Sequence, residues 1–316
     1  MIEQITNQEI ERAKRVLINH VVPELTHESA LESALFAIAS AGTIWEKVPT
    51  RFIYSLRELS YPDLPLNESR SKIATLEILS DEQVVTGAAK RSGFRFYHQN
   101  RFNTLFSTYR SQNQGWWHEI FEADAETREK YVKSGSLHKI RGMSYKTFSF
   151  WHLCLGGTRL LPIDIWLRKK LKEDFEFTEV EEKHVKHQRR YHKQIDVPQK
   201  KQEGLFSIGE FLGMPIESNQ PLLFRKEQLS ERNKKYQNVT VEPRPKLYLE
   251  IEKRTRGYFS RDQRFLVEKG KFAGEVDMAL VASVLWWRGA GRGKQSQMNL
   301  FVPYDGNIWM HPYAKL

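Results

Sequence analysis

Two side chains that could do covalent chemistry stand eighteen residues apart, Lys146 and Asp164. Both lie in the stretch 138–171, HKIRGMSYKTFSFWHLCLGGTRLLPIDIWLRKKL. A lysine amine attacks carbon only after losing its proton, so a site that uses it must desolvate it or set it in positive potential. An amine that does attack a sugar or carbonyl carbon becomes a Schiff base. Each residue also has a plainer use. A lysine beside a helix start contacts an anion such as phosphate, and an aspartate at that position caps the helix.

The elements around these residues are legible. Gly142-Met143-Ser144 reads as a tight hairpin, and a helix opens near Lys146. That helix carries an apolar run, Phe148, Phe150, Trp151, Leu153, Cys154 and Leu155, so Phe148 and Phe150 are the neighbours expected to desolvate the amine. Gly156-Gly157 is a C-cap signal, because glycine enters the left-handed region without steric cost. Leu160-Leu161-Pro162-Ile163 then leads to Asp164 as N-cap of a helix over 165–171. The lysine sits at the mouth of a hairpin and the carboxylate at the mouth of the next helix. A small residue at Gly142 lets backbone approach a phosphate, and helix-start N–H groups point at its oxygens. Ser144 fits such a hairpin if its φ stays negative.

The stretch resembles the helix-hairpin-helix superfamily of DNA base-excision glycosylases. The likeness is carried by Ile140-Arg141-Gly142-Met143-Ser144-Tyr145-Lys146-Thr147 and by Ile163-Asp164-Ile165-Trp166, and it spans roughly residues 85–171. The glycine-aromatic-basic run from Gly93 to Arg101 is similar to the family's helix before the hairpin. Arg141, Ser144, Ile165 and Trp166 stand where the family has proline, a second glycine, threonine and histidine. The resemblance implies that Lys146 is the nucleophile of a lyase-competent glycosylase. It implies that Asp164 is the aspartate that stabilises the developing sugar cation and orients or deprotonates the lysine. Arg141, Gly142, Met143, Ser144, Arg168 and Lys169 would contact the DNA. Gly42 occupies the place of a gap-filling glutamine, so the wedge must come from elsewhere; Trp45 is a candidate, or else an aromatic of the core. Asp277 either faces the base pocket or sits in a helix N-terminal turn where the dipole favours a carboxylate.

A base inside a duplex is out of reach, so such an enzyme must extrude it into a pocket. The expected activity is release of an oxidised or otherwise modified base from double-stranded DNA, followed by an AP lyase step. The single cysteine, Cys154, leaves no room for the four-cysteine iron–sulfur loop of many relatives, which places the likeness closest to the 8-oxoguanine branch. No metal and no other cofactor is expected, and the protein is expected to act as a monomer. Two other readings stay open: a non-catalytic module that uses the hairpin for backbone contacts, and a monofunctional glycosylase acting through water.

Composition agrees with a nucleic-acid partner without proving one. Among 316 residues the net charge is +10 and 12% are aromatic. At 40% apolar the chain can bury a large core, and no run approaches the ~20 apolar residues of a membrane span. One cysteine excludes an internal disulfide and fits a reducing compartment. With no signal-peptide pattern, an intracellular place is expected, cytoplasmic beside the nucleoid or nuclear.

The fold expected is mainly α: a two-lobed helical glycosylase fold around the hairpin motif, with a C-terminal insertion and a small terminal β-hairpin. Residues 1–180 form the helical core, 181–245 a basic linker or insertion, and 246–316 the helices that complete the core. Thr6-Asn7-Gln8-Glu9 is a capping box opening a helix with Ile10, Ala13, Leu17 and Val21 on one face. Further helices are expected over 27–47, 50–59, 69–79, 80–92, 93–111, 116–121, 125–134, 246–259 and 275–288. Residues 181–202 hold seven Lys/Arg and three His, His184, His187 and His192; a solvated basic helix, an exposed linker or a DNA-backbone contact all suit that run better than a zinc set. Asp305-Gly306 marks the terminal hairpin.

Overall fold

The computed structural model describes residues 5–40, 48–93, 102, 105–106, 116–133, 135–140, 142–164, 167, 171, 245–289 and 312. Eleven α-helices can be bounded there, and among the described residues there is no sheet, only an isolated antiparallel bridge between Leu266 and Val276. The mainly α class therefore holds. Trp45, Arg141, Arg168, Lys169, the run 181–202 and the terminal hairpin lie outside the described residues.

Helix α1 (Asn7–Ile18) begins at the expected capping box, Thr6 and Glu9 bonding reciprocally. Helix α2 (His27–Ala39) is the central element. Every residue from Ser29 to Ala39 is buried, so it has neighbours on all sides rather than one apolar stripe. Around it pack α3 (Val48–Ser60), α5 (Leu76–Ser80) and α9 (Tyr145–Cys154). Helices α4 (Leu66–Ser71) and α6 (Glu82–Arg91) cover α3, and α8 (Ala125–Val132) lies against α9. Helix α7 (Trp116–Phe121) precedes α8; α10 (Pro245–Phe259) and α11 (Met278–Gly289) follow the long segment that began after residue 171. Helix α11 packs on α1, so the beginning and end of the described chain share one layer.

Four sequence expectations need correction. Helix α2 stops at Ala39 with Ser40 as its C-cap, short of residue 47. The single helix expected over 69–79 is two helices parted at 72–75. There side chains claim the backbone: Tyr61 donates to the Ile73 carbonyl, and the Ala74 and Thr75 amides donate to Glu32 and Ser60. Helix α11 begins at Met278, because Asp277 is drawn into the turn that follows the 266–276 bridge. On α10 the sequence spaced Leu247, Leu249 or Glu250, Ile251 and Arg254 along the turns. The Leu247 side chain lies outside the described residues; Ile251 is buried, together with Tyr248, Glu252, Thr255 and Phe259, whereas Arg254 pairs with Glu250 at the surface.

Two buried ion pairs hold the helices in place. Arg57 of α3 grips Glu32 of α2, with Nη2 2.6 Å from Oε1, and also donates to the carbonyls of Arg70 and Pro312. Arg128 of α8 grips Glu252 of α10 through two bonds of 3.1 and 2.6 Å. Such pairs add little net stability against an apolar alternative, but losing one partner strands a buried charge at about 3–5 kcal/mol. They therefore fix which helices meet.

Candidate functional site

The hairpin has the expected backbone. The Met143 amide donates to the Ile140 carbonyl at 3.1 Å, and Gly142 has φ 88°, a left-handed angle that costs glycine nothing. Ser144 keeps a negative φ of −102° and is the N-cap of α9, accepting from the Thr147 amide at 3.2 Å. Serine in place of a glycine is therefore unstrained. Met143 is buried, so a contact between Met143 and DNA would run through its backbone.

Lys146 is the second residue of α9 and is half-buried. Its ammonium lies 5.2 Å from the Phe150 ring centroid, one turn along the helix, and Phe150 in turn meets Phe36 of α2. Of the two apolar neighbours expected, Phe150 is the one beside the amine. Phe148 is buried on another side, stacked on Tyr131. Cys154, two turns on, is fully buried; burial pushes its thiol far up, and the Lys146 charge opposes that only in part. Cys154 is thus a core residue and no nucleophile.

Helix α9 ends in a Schellman motif, the Gly156 and Gly157 amides returning to Leu153 and His152 with Gly156 at φ 87°. The chain then doubles back. The Arg159 amide donates to Nε2 of His152 at 3.1 Å, while Nδ1 of His152 donates to the Ile120 carbonyl at 2.7 Å. Two fixed partners and complete burial keep this imidazole neutral, its pKa lowered to about 4 mainly by burial.

Further along, the Tyr248 hydroxyl donates to the Leu161 carbonyl at 2.5 Å and accepts from the Ile163 amide at 3.0 Å. Ser149 Oγ lies 3.4 Å from the same hydroxyl. Burial raises the Tyr248 pKa strongly, so the phenol stays protonated and donates. Glu252 accepts from the Leu161 amide at 2.8 Å, and Arg128, bound to Glu252, donates to Ser149 at 3.0 Å.

Residue 159 thus meets position 152 of α9 directly, and residues 161 and 163 reach position 149 through the Tyr248 hydroxyl. The return segment runs antiparallel to the helix and carries Asp164 toward the end where Lys146 stands. Asp164 is the expected N-cap: its Oδ1 accepts from the Leu167 amide at 2.8 Å.

Asp277 belongs elsewhere. It caps α11, accepting from Leu280 at 2.9 Å, and the neighbouring Met278 amide donates to the Thr158 carbonyl. Thr158 lies beyond the C-terminal end of α9, some ~15 Å of helix from Lys146. Burial raises the Asp277 pKa. Of its two sequence readings, the structure provides the capping role.

Sequence reasoning missed Arg128, Ser149, His152, Tyr248 and Glu252. Tyr248 and Glu252 are four apart on one helix and could have been read as one face. Nothing in the sequence pairs them with residue 128 or 161. The fold is mainly α, and no helix of the described residues is long and apolar enough to cross a membrane. No family model, no curated protein and no solved structure matches this chain. What the site can do is a matter of its own residue types and geometry.

Proposed function

We propose that this chain is a DNA N-glycosylase with AP lyase activity, acting on a modified base in duplex DNA, with an oxidised purine such as 8-oxoguanine favoured. The observation that carries the reading is the antiparallel return from α9. It leads a helix-capping carboxylate, Asp164, back along the helix whose first turn holds a half-buried lysine, Lys146, directly after a glycine hairpin.

In the proposed reaction the neutral Lys146 amine gives its electron pair to the sugar C1′. The C1′–N bond to the base breaks, and the base leaves with that pair and takes a proton. Asp164 stabilises the cationic character at C1′ and receives the ammonium proton. Opening of the sugar ring gives an imine on Nζ. Loss of a C2′ proton then expels the 3′ phosphate, and water releases the lysine. Phe150 supplies low-dielectric surroundings for the amine. The hairpin, with Arg141, Arg168 and Lys169 as the basic residues the resemblance assigns to DNA contact, holds the phosphate backbone.

Borohydride tests this directly, because it reduces the imine to a permanent link. Wild-type protein should be trapped on a duplex carrying an abasic site or its substrate base. Lys146→Gln should bind the duplex yet lose trapping and strand cleavage. No trapping of the wild type leaves either a binding module or a water-using glycosylase, told apart by base release. Trapping that survives in Lys146→Gln means another amine attacks.

A further inference from the structure

We propose that Tyr248 is a positioning residue for this chemistry: its hydroxyl, with Glu252 and Ser149 behind it, sets the Asp164 segment in register with the Lys146 helix. The inference rests on the glycosylase reading for what is being positioned, and on the hydrogen bonds alone for how.

One oxygen atom joins the two segments. It donates to the Leu161 carbonyl and accepts from the Ile163 amide, and these groups flank Pro162. Proline has no N–H, so the backbone here cannot hold itself at that residue. Glu252, one turn along α10, takes the Leu161 amide. Both polar backbone groups of Leu161 and the amide of Ile163 are thereby fixed by two side chains of one helix, and Asp164 is the next residue. On the other side Ser149 lies one turn after Lys146, within 3.4 Å of the same hydroxyl, and accepts from Arg128. The Arg128 guanidinium lies over the Tyr248 ring at 5.0 Å and the Tyr145 ring at 5.1 Å, and Tyr145 is the residue before Lys146.

Arg128, Ser149, Tyr248 and Glu252 are all buried. A buried, hydrogen-bonded network of this kind contributes little net stability but favours a single well-defined geometry, although Arg128 Nε has no partner among the described residues. Its two outlets are the residues just before Asp164 and the turn just after Lys146.

The test uses the full-length chain. Tyr248→Phe keeps the ring and removes the oxygen. Ile251→Val is the control: it removes one buried methyl group from the same helix without touching the hydroxyl. Each is measured for affinity to a duplex with tetrahydrofuran in place of one sugar. Each is also measured for the single-turnover rate of borohydride trapping on an abasic duplex at saturating protein. For Tyr248→Phe the affinity should be unchanged and the trapping rate should fall on the order of 100-fold, the scale set by displacing reacting groups ~1 Å. Ile251→Val should keep the wild-type rate. Wild-type trapping together with undiminished trapping by Tyr248→Phe overturns the positioning role and leaves the glycosylase reading standing. Absence of wild-type trapping removes the lyase reading and the positioning proposal that rests on it. A rate loss shared equally by Ile251→Val means a merely structural role and also overturns the proposal. If Tyr248→Phe does not fold, Ser149→Ala decides. It removes the helix-side anchor of the hydroxyl together with one acceptor of Arg128, which keeps its two bonds to Glu252, and the same split of unchanged affinity and slower trapping is expected; a wild-type rate refutes the proposal.

Discussion

Gly157→Ala probes the packing beneath the site most sharply. A Cβ on residue 157 would stand 2.2 Å from Cε1 of His152 and 2.4 Å from each ring nitrogen, distances no folded protein tolerates. The ring has nowhere to go. It is fully buried, with Nδ1 on the Ile120 carbonyl and Nε2 under the Arg159 amide. Admitting a methyl group means displacing the imidazole, which leaves that carbonyl and that amide unpaired at about 1–3 kcal/mol each. Overpacking strain adds about 1–3 kcal/mol. The expected loss is about 4 kcal/mol, or a fall in Tm of roughly 8–16 °C at ~2–4 °C per kcal/mol for a domain of this size. Thermal and urea unfolding followed by circular dichroism measure it. His152→Ala supplies the cross-check: with the ring gone, adding Gly157→Ala places a methyl in vacated space and costs nothing further. A Gly157→Ala protein melting within about 2 °C of wild type, well under the per-kcal/mol shift, would refute the steric reasoning. So would strict additivity in the double variant.

Asp164→Asn keeps a good capping residue, so stability should change by no more than about 0.3–1 kcal/mol from the lost charge at the helix start. Base excision should slow by about 10²–10⁴-fold with DNA binding retained; normal single-turnover excision removes Asp164 from the mechanism. Mild acid should destabilise the fold through His152. Its folded pKa of about 4 lies below the ordinary 6.5, so the unfolded chain binds the extra proton between those values, and stability is lost as pH falls through that window. The loss should reach about 2 kcal/mol by pH ~5, with half-buried His20 acting in the same direction. A urea midpoint that stays flat from neutral pH to about pH 5 would show that the imidazole is not held neutral.

The local part of this arrangement was legible because its signals are short-range. The Thr6 and Glu9 box, the Gly142 turn, the Gly156-Gly157 cap and the Asp164 cap each involve residues within about one turn of each other, where backbone geometry dictates the residue type. The mainly α class followed from periodicity. The pairings were not legible, because Arg128 with Glu252 and Arg57 with Glu32 are matched in space and not in sequence. One hint was present. Glu32 is the one charged residue between Ser29 and Ala39, a run otherwise of small and apolar residues, and a carboxylate buried there requires a cation. The 69–79 helix was misjudged for the same reason: Glu32, Ser60 and Tyr61 outbid the local helical bonds from afar.

The packing of α1 against α11, closed by Arg288 on Glu9, has a consequence for the protein's birth. Roughly 270 residues separate the end of one helix from the end of the other. At ribosomal speeds of ~5–20 residues per second, α1 waits roughly 15–55 s for its cover. Through that interval Ile10, Ala13 and Leu17 face solvent or a chaperone, and the Arg128 charge has no Glu252 to meet. Helices α2 to α6 can assemble early around Glu32 and Arg57, whereas the layer that joins Lys146 to Asp164 closes only when α10 emerges. The newborn chain therefore carries Lys146 and Asp164 for some time before it carries Tyr248 and Glu252, which bind the segment before Asp164.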